Sequence, residues 1–163
     1  MKILSINSTS FSPKARSEKK IRYIIVHYTG MQSRRASIDR LTSKKHKVSC
    51  HYFIDRAGSV VRMVKDNKVA WHAGKSKWKN FVNLNKNSLG VELVNKGHEY
   101  GYQNFSSKQI TSLIKLCKNL KRKYSIKKEK LIITAFKRRF RQNKVDGIID
   151  QITLDISNKL AKI

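Results

Sequence analysis

Residues 21–30, IRYIIVHYTG, constrain this chain more than any other stretch. Tyr23-Ile24-Ile25-Val26 is an unbroken apolar run of aromatic and β-branched residues. Such a run, closed by the turn signal Thr29-Gly30, reads as a strand buried on both faces, the kind found inside α/β sheets. His27 then falls at the carboxyl end of an interior strand, where ligand and metal sites of α/β sheets collect. A neutral imidazole fixed on a rigid strand suits a zinc ligand. A hydrogen-bonded histidine at a strand end fits the same position.

The rest of the chain bounds what that strand can belong to. At 163 residues there is room for one main domain with a real core. No apolar run approaches the length of a membrane span. The first 20 residues lack the long apolar core and small-residue cleavage site of a secretory signal, which makes the cytoplasm the default compartment and leaves periplasm or envelope open. Lys and Arg number 37 against 10 Asp and Glu, a formal charge of +27. A surface of that kind attracts polyanions, whether nucleic acid, acidic membrane or anionic wall polymer. Basic residues crowd 118–144 with only Glu129 opposing them, although lysine is abundant throughout, as a compositional bias would also make it. Cys50 and Cys117 belong to no CxxC and are too few for a disulfide framework, so reduced buried thiols are expected.

In chain order, residues 1–20 read as a polar leader, and residues 33–45 as a short surface helix with Ile38 and Leu41 inward. Residues 48–55 and 59–64 read as a hairpin around Arg56-Ala57-Gly58, and 75–87 as an irregular loop. Residues 88–94, SLGVELV, form the next interior strand. Ser106 with Gln109 supplies a capping box for a helix whose stripe is Ile110, Leu113, Ile114, Cys117, Leu120 and Tyr124. Ala135–Phe140 and Thr153–Ala161 read as further helices. Strands alternating with helices give an α/β (α+β) class: a mixed central sheet flanked by helices.

Glu92 is the second informative residue. A carboxylate between Val91 and Leu93 in an apolar strand is costly unless it meets a partner, a metal-bound water or a solvent-lined cleft. One carboxylate near a histidine-bound zinc is the minimum for hydrolysis, and pairing with one of the many lysines is the plain alternative.

Five motifs in order then carry a family resemblance: Val26-His27-Tyr28-Thr29-Gly30, Val48-Ser49-Cys50-His51-Tyr52, Ala70-Trp71-His72-Ala73-Gly74, Asn83-Leu84-Asn85, and Ser88-Leu89-Gly90-Val91-Glu92-Leu93-Val94-Asn95. Their order and spacing resemble the zinc-dependent N-acetylmuramoyl-L-alanine amidases, the AmpD-like type 2 group that shares its fold with peptidoglycan-recognition proteins. The likeness covers about residues 20–132. It implies zinc as cofactor, peptidoglycan or muropeptide fragments as partners, His27 as a zinc ligand and Glu92 as the catalytic carboxylate. It also implies that His51, Tyr52, Trp71, His72 and Asn95 line or support the substrate groove.

The chain departs from that pattern after its long helix. The resemblance calls there for a second histidine ligand, an aspartate ligand and a lysine, yet no histidine follows His98. Residues 133–163 instead resemble part of a peptidoglycan-binding helical module. The division expected is therefore a leader (1–20), an amidase-like domain lacking its last ligand segment (21–132) and a partial module (133–163). Zinc hydrolase sites need three protein ligands and share the binding free energy among them, so zinc is not expected to be held stably. Three readings follow: a degenerate amidase, a non-catalytic protein that binds muropeptides or anionic polymers, and a basic nucleic-acid-associated protein.

Overall fold

A computed structural model describes residues 1–126, apart from Lys79 and Tyr102. The helices expected beyond Ile126 and the partial module of 133–163 lie outside the described residues. The strands are β1 (Ile3–Ser5), β2 (Phe11–Ser12) and β3 (Tyr23–Tyr28), followed by helix α1 (Arg34–Thr42). Next come β4 (Tyr52–Ile54), β5 (Val60–Arg62), β6 (Val69–Ala70), β7 (Lys77–Trp78), β8 (Phe81–Val82), β9 (Ser88–Leu93) and helix α2 (Ser107–Tyr124).

Five of these strands form one mixed sheet in the order β1-β5-β4-β9-β3. The apolar run of 23–26 becomes β3, which pairs in parallel with β9 in the register Val26 to Val91 and His27 to Glu92. β4 flanks β9 in parallel, and β4 and β5 form the expected antiparallel hairpin. At its turn Gly58 adopts φ +84°, a conformation open to glycine and strained for other residues, and its N–H closes on Asp55 O at 2.9 Å.

Alternation along the strands assigns each residue to one of two layers. Val26, Val91, Leu93, Tyr52 and Ile54 face α2, whose Leu113, Leu116, Cys117 and Leu120 complete the larger core. Phe53, Val61 and Met63 face the other way and pack with Leu41 of α1 and with Ile38 beside it. The α2 capping box forms as expected: Ser106 Oγ accepts from Gln109 N at 3.1 Å, and Gln109 Oε1 from Ser106 N at 3.2 Å. Gln109 is fully buried, and its Nε2 donates to the Ile54 and Val94 carbonyls, tying the helix start to the ends of β4 and β9.

Two segments differ from the sequence reading. Residues 1–20, read as a polar leader, run along the body: β1 adds a parallel edge strand to β5, and β2 pairs with β6. Arg16 follows them into the interior and is 8% exposed. Ile3 and Leu4 stay exposed on the sheet edge, whereas Ile6 packs on the second core, Ser8 Oγ donates to Leu41 O at 2.7 Å and the buried Arg16 anchors the end of the segment. Within 75–87, expected as an irregular loop, Lys77–Trp78 and Phe81–Val82 pair as a small antiparallel ribbon.

Candidate functional site

The face of the sheet turned away from α2 carries the chemistry. His27 and Glu92 stand side by side in register near the carboxyl ends of β3 and β9, both buried. Neighbouring strands lie about 5 Å apart, which brings the two side chains into one neighbourhood. Glu92 lines a cleft of ≈ 180 Å³ with Tyr28, Thr29, Met31, Ser37, Arg40, Leu41 and Val48. His27, 2% exposed, meets His72: its Nε2 lies 3.0 Å from His72 Nδ1.

Hydrogen bonds beyond that pair fix its direction. Ser88 Oγ donates to Leu84 O at 2.6 Å, so it accepts from His72 Nε2 at 3.2 Å. A neutral His72 protonated on Nε2 accepts at Nδ1, and His27 Nε2 is then the donor. The backbone of His72 is held as firmly: Asn85 Oδ1 accepts from the N–H groups of His72 and Ala73 at 3.0 and 2.8 Å. Gly90 makes room for the imidazole, since a Cβ there would sit 2.3 Å from His72 Cγ. Gly90→Ala is therefore expected to displace the ring, break the His27–His72 hydrogen bond and cost about 1–3 kcal/mol. A lowered melting temperature together with shifted imidazole nitrogen resonances of both histidines would register it; unchanged resonances would count against the packing described.

The remaining sequence-predicted residues separate into different roles. His51 is fully buried, with Nδ1 accepting from Gly90 N at 3.0 Å and Nε2 3.1 Å from Lys68 O. Burial first, and the Arg16 cation 3.0 Å from Nε2 second, push its pKa down to about 3. It is a neutral structural hub. Tyr52 stands on the other face of the sheet. Strand alternation sends it to the α2 face, opposite Glu92, where its hydroxyl donates to Asp66 Oδ1 at 2.7 Å. Trp71 is half-buried; its N–H donates to Ser49 Oγ at 3.0 Å and its carbonyl accepts from Ser49 N at 3.0 Å. Asn95 latches the loops after β3 and β9: its Oδ1 accepts from Gly97 N, its Nδ2 donates to Gln103 O at 2.6 Å, and its carbonyl accepts from Met31 N.

Arg16 is the residue that sequence reasoning missed. Its Nε donates to Asp66 O at 3.0 Å, and its Nη1 to Asn85 O and Ser88 O at 3.0 and 2.7 Å. Burial lowers its pKa to about 10, with Asp66 and the Tyr124 phenol opposing the shift, so it remains a cation at neutral pH. Asp66 gathers Tyr52, Tyr124 and Lys123 around one carboxylate. Burial alone would raise the Asp66 pKa, but these three donors outweigh it and hold the group below the usual carboxylate range.

Zinc, which the resemblance implies, can be tested against these atoms. Among the described residues, no group of three or more His, Cys, Asp or Glu could hold a metal ion. The described residues therefore do not fit a zinc centre on their own.

Fold and site together define a mixed α/β sheet protein with a histidine–carboxylate pair beside a cleft on its open face. By sequence the chain belongs to the N-acetylmuramoyl-L-alanine amidase family, whose model matches residues 17–147 and so continues past residue 132. It is 31% identical over 128 residues to the N-acetylmuramoyl-L-alanine amidase AmiD of Escherichia coli, a match covering 71% of this chain and 45% of AmiD. The solved complex of E. coli AmiD with the substrate anhydro-N-acetylmuramic acid-L-Ala-D-gamma-Glu-L-Lys superposes with a TM-score of 0.61 at 31% identity, covering 72% of this chain and 49% of that one. Pseudomonas aeruginosa AmpDh3, solved with an anhydromuramic pentapeptide, gives 0.62 at 28% identity, covering 77% and 54%. The chain spans less than half the length of the curated relatives it matches.

Proposed function

We propose that this chain recognises muropeptides through the Glu92 cleft, and that the bond it addresses is the amide between the lactyl group of N-acetylmuramic acid and L-alanine. One observation carries this reading: Glu92, a buried carboxylate in an apolar strand, opens into the cleft beside His27. In hydrolysis Glu92 would take the proton of the attacking water, because it is the carboxylate that lines the cleft. Zinc, if bound, would supply carbonyl polarisation and an activated water. His27 is the ligand the family resemblance assigns, and the described residues do not complete the set.

The isolated chain is accordingly expected to bind an anhydromuramyl tripeptide without cleaving it, and to retain no stoichiometric zinc after dialysis. Calorimetry with the tripeptide, metal analysis and chromatography of the incubated mixture would check all three. Zinc retained at one equivalent and lost in His27→Ala, with cleavage lost in Glu92→Gln, would make the chain a working amidase instead.

A second reading concerns the opposite face. Lys108, Lys115, Lys118 and Arg122 are exposed on α2, which contains no acidic residue. That surface supports binding to anionic polymers, weakening as salt rises. Retention on a polyphosphate column that is unaffected by replacing Lys115, Lys118 and Arg122 with glutamine would sink it.

A further inference from the structure

The exposed basic residues of α2 follow a pattern that abundance alone does not impose. At 3.6 residues per turn, Lys108, Lys115, Lys118 and Arg122 lie within about 80° of one another around the helix and span about 21 Å along it. The stripe stands opposite the buried Gln109, Leu113, Leu116, Cys117 and Leu120. Lys123 is taken up by Asp66 at 3.2 Å and stays outside the stripe. No acidic residue on α2 offsets these four charges.

An apolar edge adjoins the stripe. Ser112, on the flank of α2, donates to Gly58 O at 2.6 Å, which sets the helix beside the start of β5. Outside β5 runs the edge strand β1, in the register Ile3 to Val60 and Ser5 to Arg62. Paired residues share a face, and Val60 belongs to the core under α2, so Ile3 and Arg62 stand on the α2 side of the sheet. The helix does not cover them: Ile3 is 42% exposed, Met1 before it 51%, and Arg62 is exposed as well. A soluble polyphosphate would engage the charges and leave Met1 and Ile3 in water. An anionic lipid surface engages both, the cations at its headgroups and the apolar side chains at the acyl boundary.

We propose that α2 and the adjoining β1 edge form a docking surface for an anionic lipid bilayer. Lys108, Lys115, Lys118, Arg122 and Arg62 meet the headgroups, and Ile3 enters the boundary. The inference rests on the reading of the α2 face as an anion-binding surface and names its partner. It also fixes an orientation. Glu92 is in register with Phe53, on the layer turned away from α2, so the docked protein keeps its cleft open on the side away from the lipid.

The test is co-sedimentation of the full chain with vesicles of phosphatidylcholine containing about 30% phosphatidylglycerol, against vesicles of phosphatidylcholine alone. Binding is expected with the anionic vesicles only. The triple variant Lys115→Gln, Lys118→Gln, Arg122→Gln should bind them on the order of 100-fold more weakly, the loss of three cations held near the surface. Lys44→Gln, Lys45→Gln, Lys86→Gln removes the same charge from exposed positions on other elements and should bind as the parent chain does. Ile3→Ser should weaken binding about fivefold without changing its dependence on salt. Melting curves matching the parent chain would show that the variants are folded. Failure to bind anionic vesicles, equal binding of both vesicle types, an unaffected Ile3→Ser, or an equal loss in the Lys44, Lys45, Lys86 variant would overturn the bilayer. Polyphosphate retention that still depends on the stripe would then leave the anion-binding face standing. Vesicle binding and polyphosphate retention both unchanged in the triple variant would overturn both.

Discussion

Arg16→Met is expected to destabilise the protein by about 3–5 kcal/mol. The side chain is nearly isosteric along its stem, so packing changes little. What disappears are the donors to the carbonyls of Asp66, Asn85 and Ser88. Each buried acceptor left without a donor costs about 1–3 kcal/mol, and all three lie where water cannot readily replace the guanidinium. The melting temperature should fall by roughly 10 °C, given about 2–4 °C per kcal/mol for a domain of this size. Arg16→Lys should recover only part of the loss, because an ammonium cannot span three acceptors in a fork. A shift of less than about 2 °C for the methionine variant would show that residues 1–20 are dispensable to the body.

Acid should unfold the chain earlier than its few carboxylates alone would suggest, and His51 is the reason. Folded, it stays neutral down to about 3; unfolded, it takes up a proton near 6.5. A pKa lowered by folding contributes stability that is complete above the unfolded value and is lost as pH falls toward the folded one. Stability should therefore decline between about pH 6.5 and pH 3 with a slope of up to about 1.4 kcal/mol per pH unit from this residue. Asp66, also held below its ordinary range, adds a further loss at the acid end of that window. Urea titrations at several pH values would measure the slope, and His51→Gln should reduce it by close to one proton's worth. An unchanged slope in that variant would mean that His51 titrates normally in the folded protein.

Much of the fold was legible because its informative elements are local. The run Tyr23-Ile24-Ile25-Val26, the capping box at Ser106 and the glycine turn before Ser59 each carry their signal within a few residues. Strand alternation also carried the facing of Tyr52, since a neighbour of Phe53 on a strand must face the other layer. Arg16 was not legible. An arginine among serines and lysines looks solvated, and its partners are remote, Ser88 lying 72 residues away. The neighbourhood of His27 and Glu92 was legible through the family resemblance, because no pattern in either segment says which strand lies beside which. Gly90 and Asn85 stood inside recognised motifs, but their task is to seat and orient His72. A role of that kind shows only when the imidazole is in place.

The parallel pairing of β3 with β9 has a consequence for how the chain matures. Thr29 and Asn95, whose hydrogen bond closes the site, are 66 residues apart, and every strand from β4 to β8 is made between them. During synthesis His27 leaves the ribosome long before its neighbour Glu92, and β3 must wait without its parallel partner. Non-local pairing of this kind slows folding and leaves apolar strand edges open to wrong partners in the meantime. The β4–β5 hairpin can form at once, so the nascent chain gains its local ribbon first and the histidine–carboxylate pair last. Limited proteolysis of stalled chains ending before and after Asn95 would find β3 cleavable in the first and protected in the second.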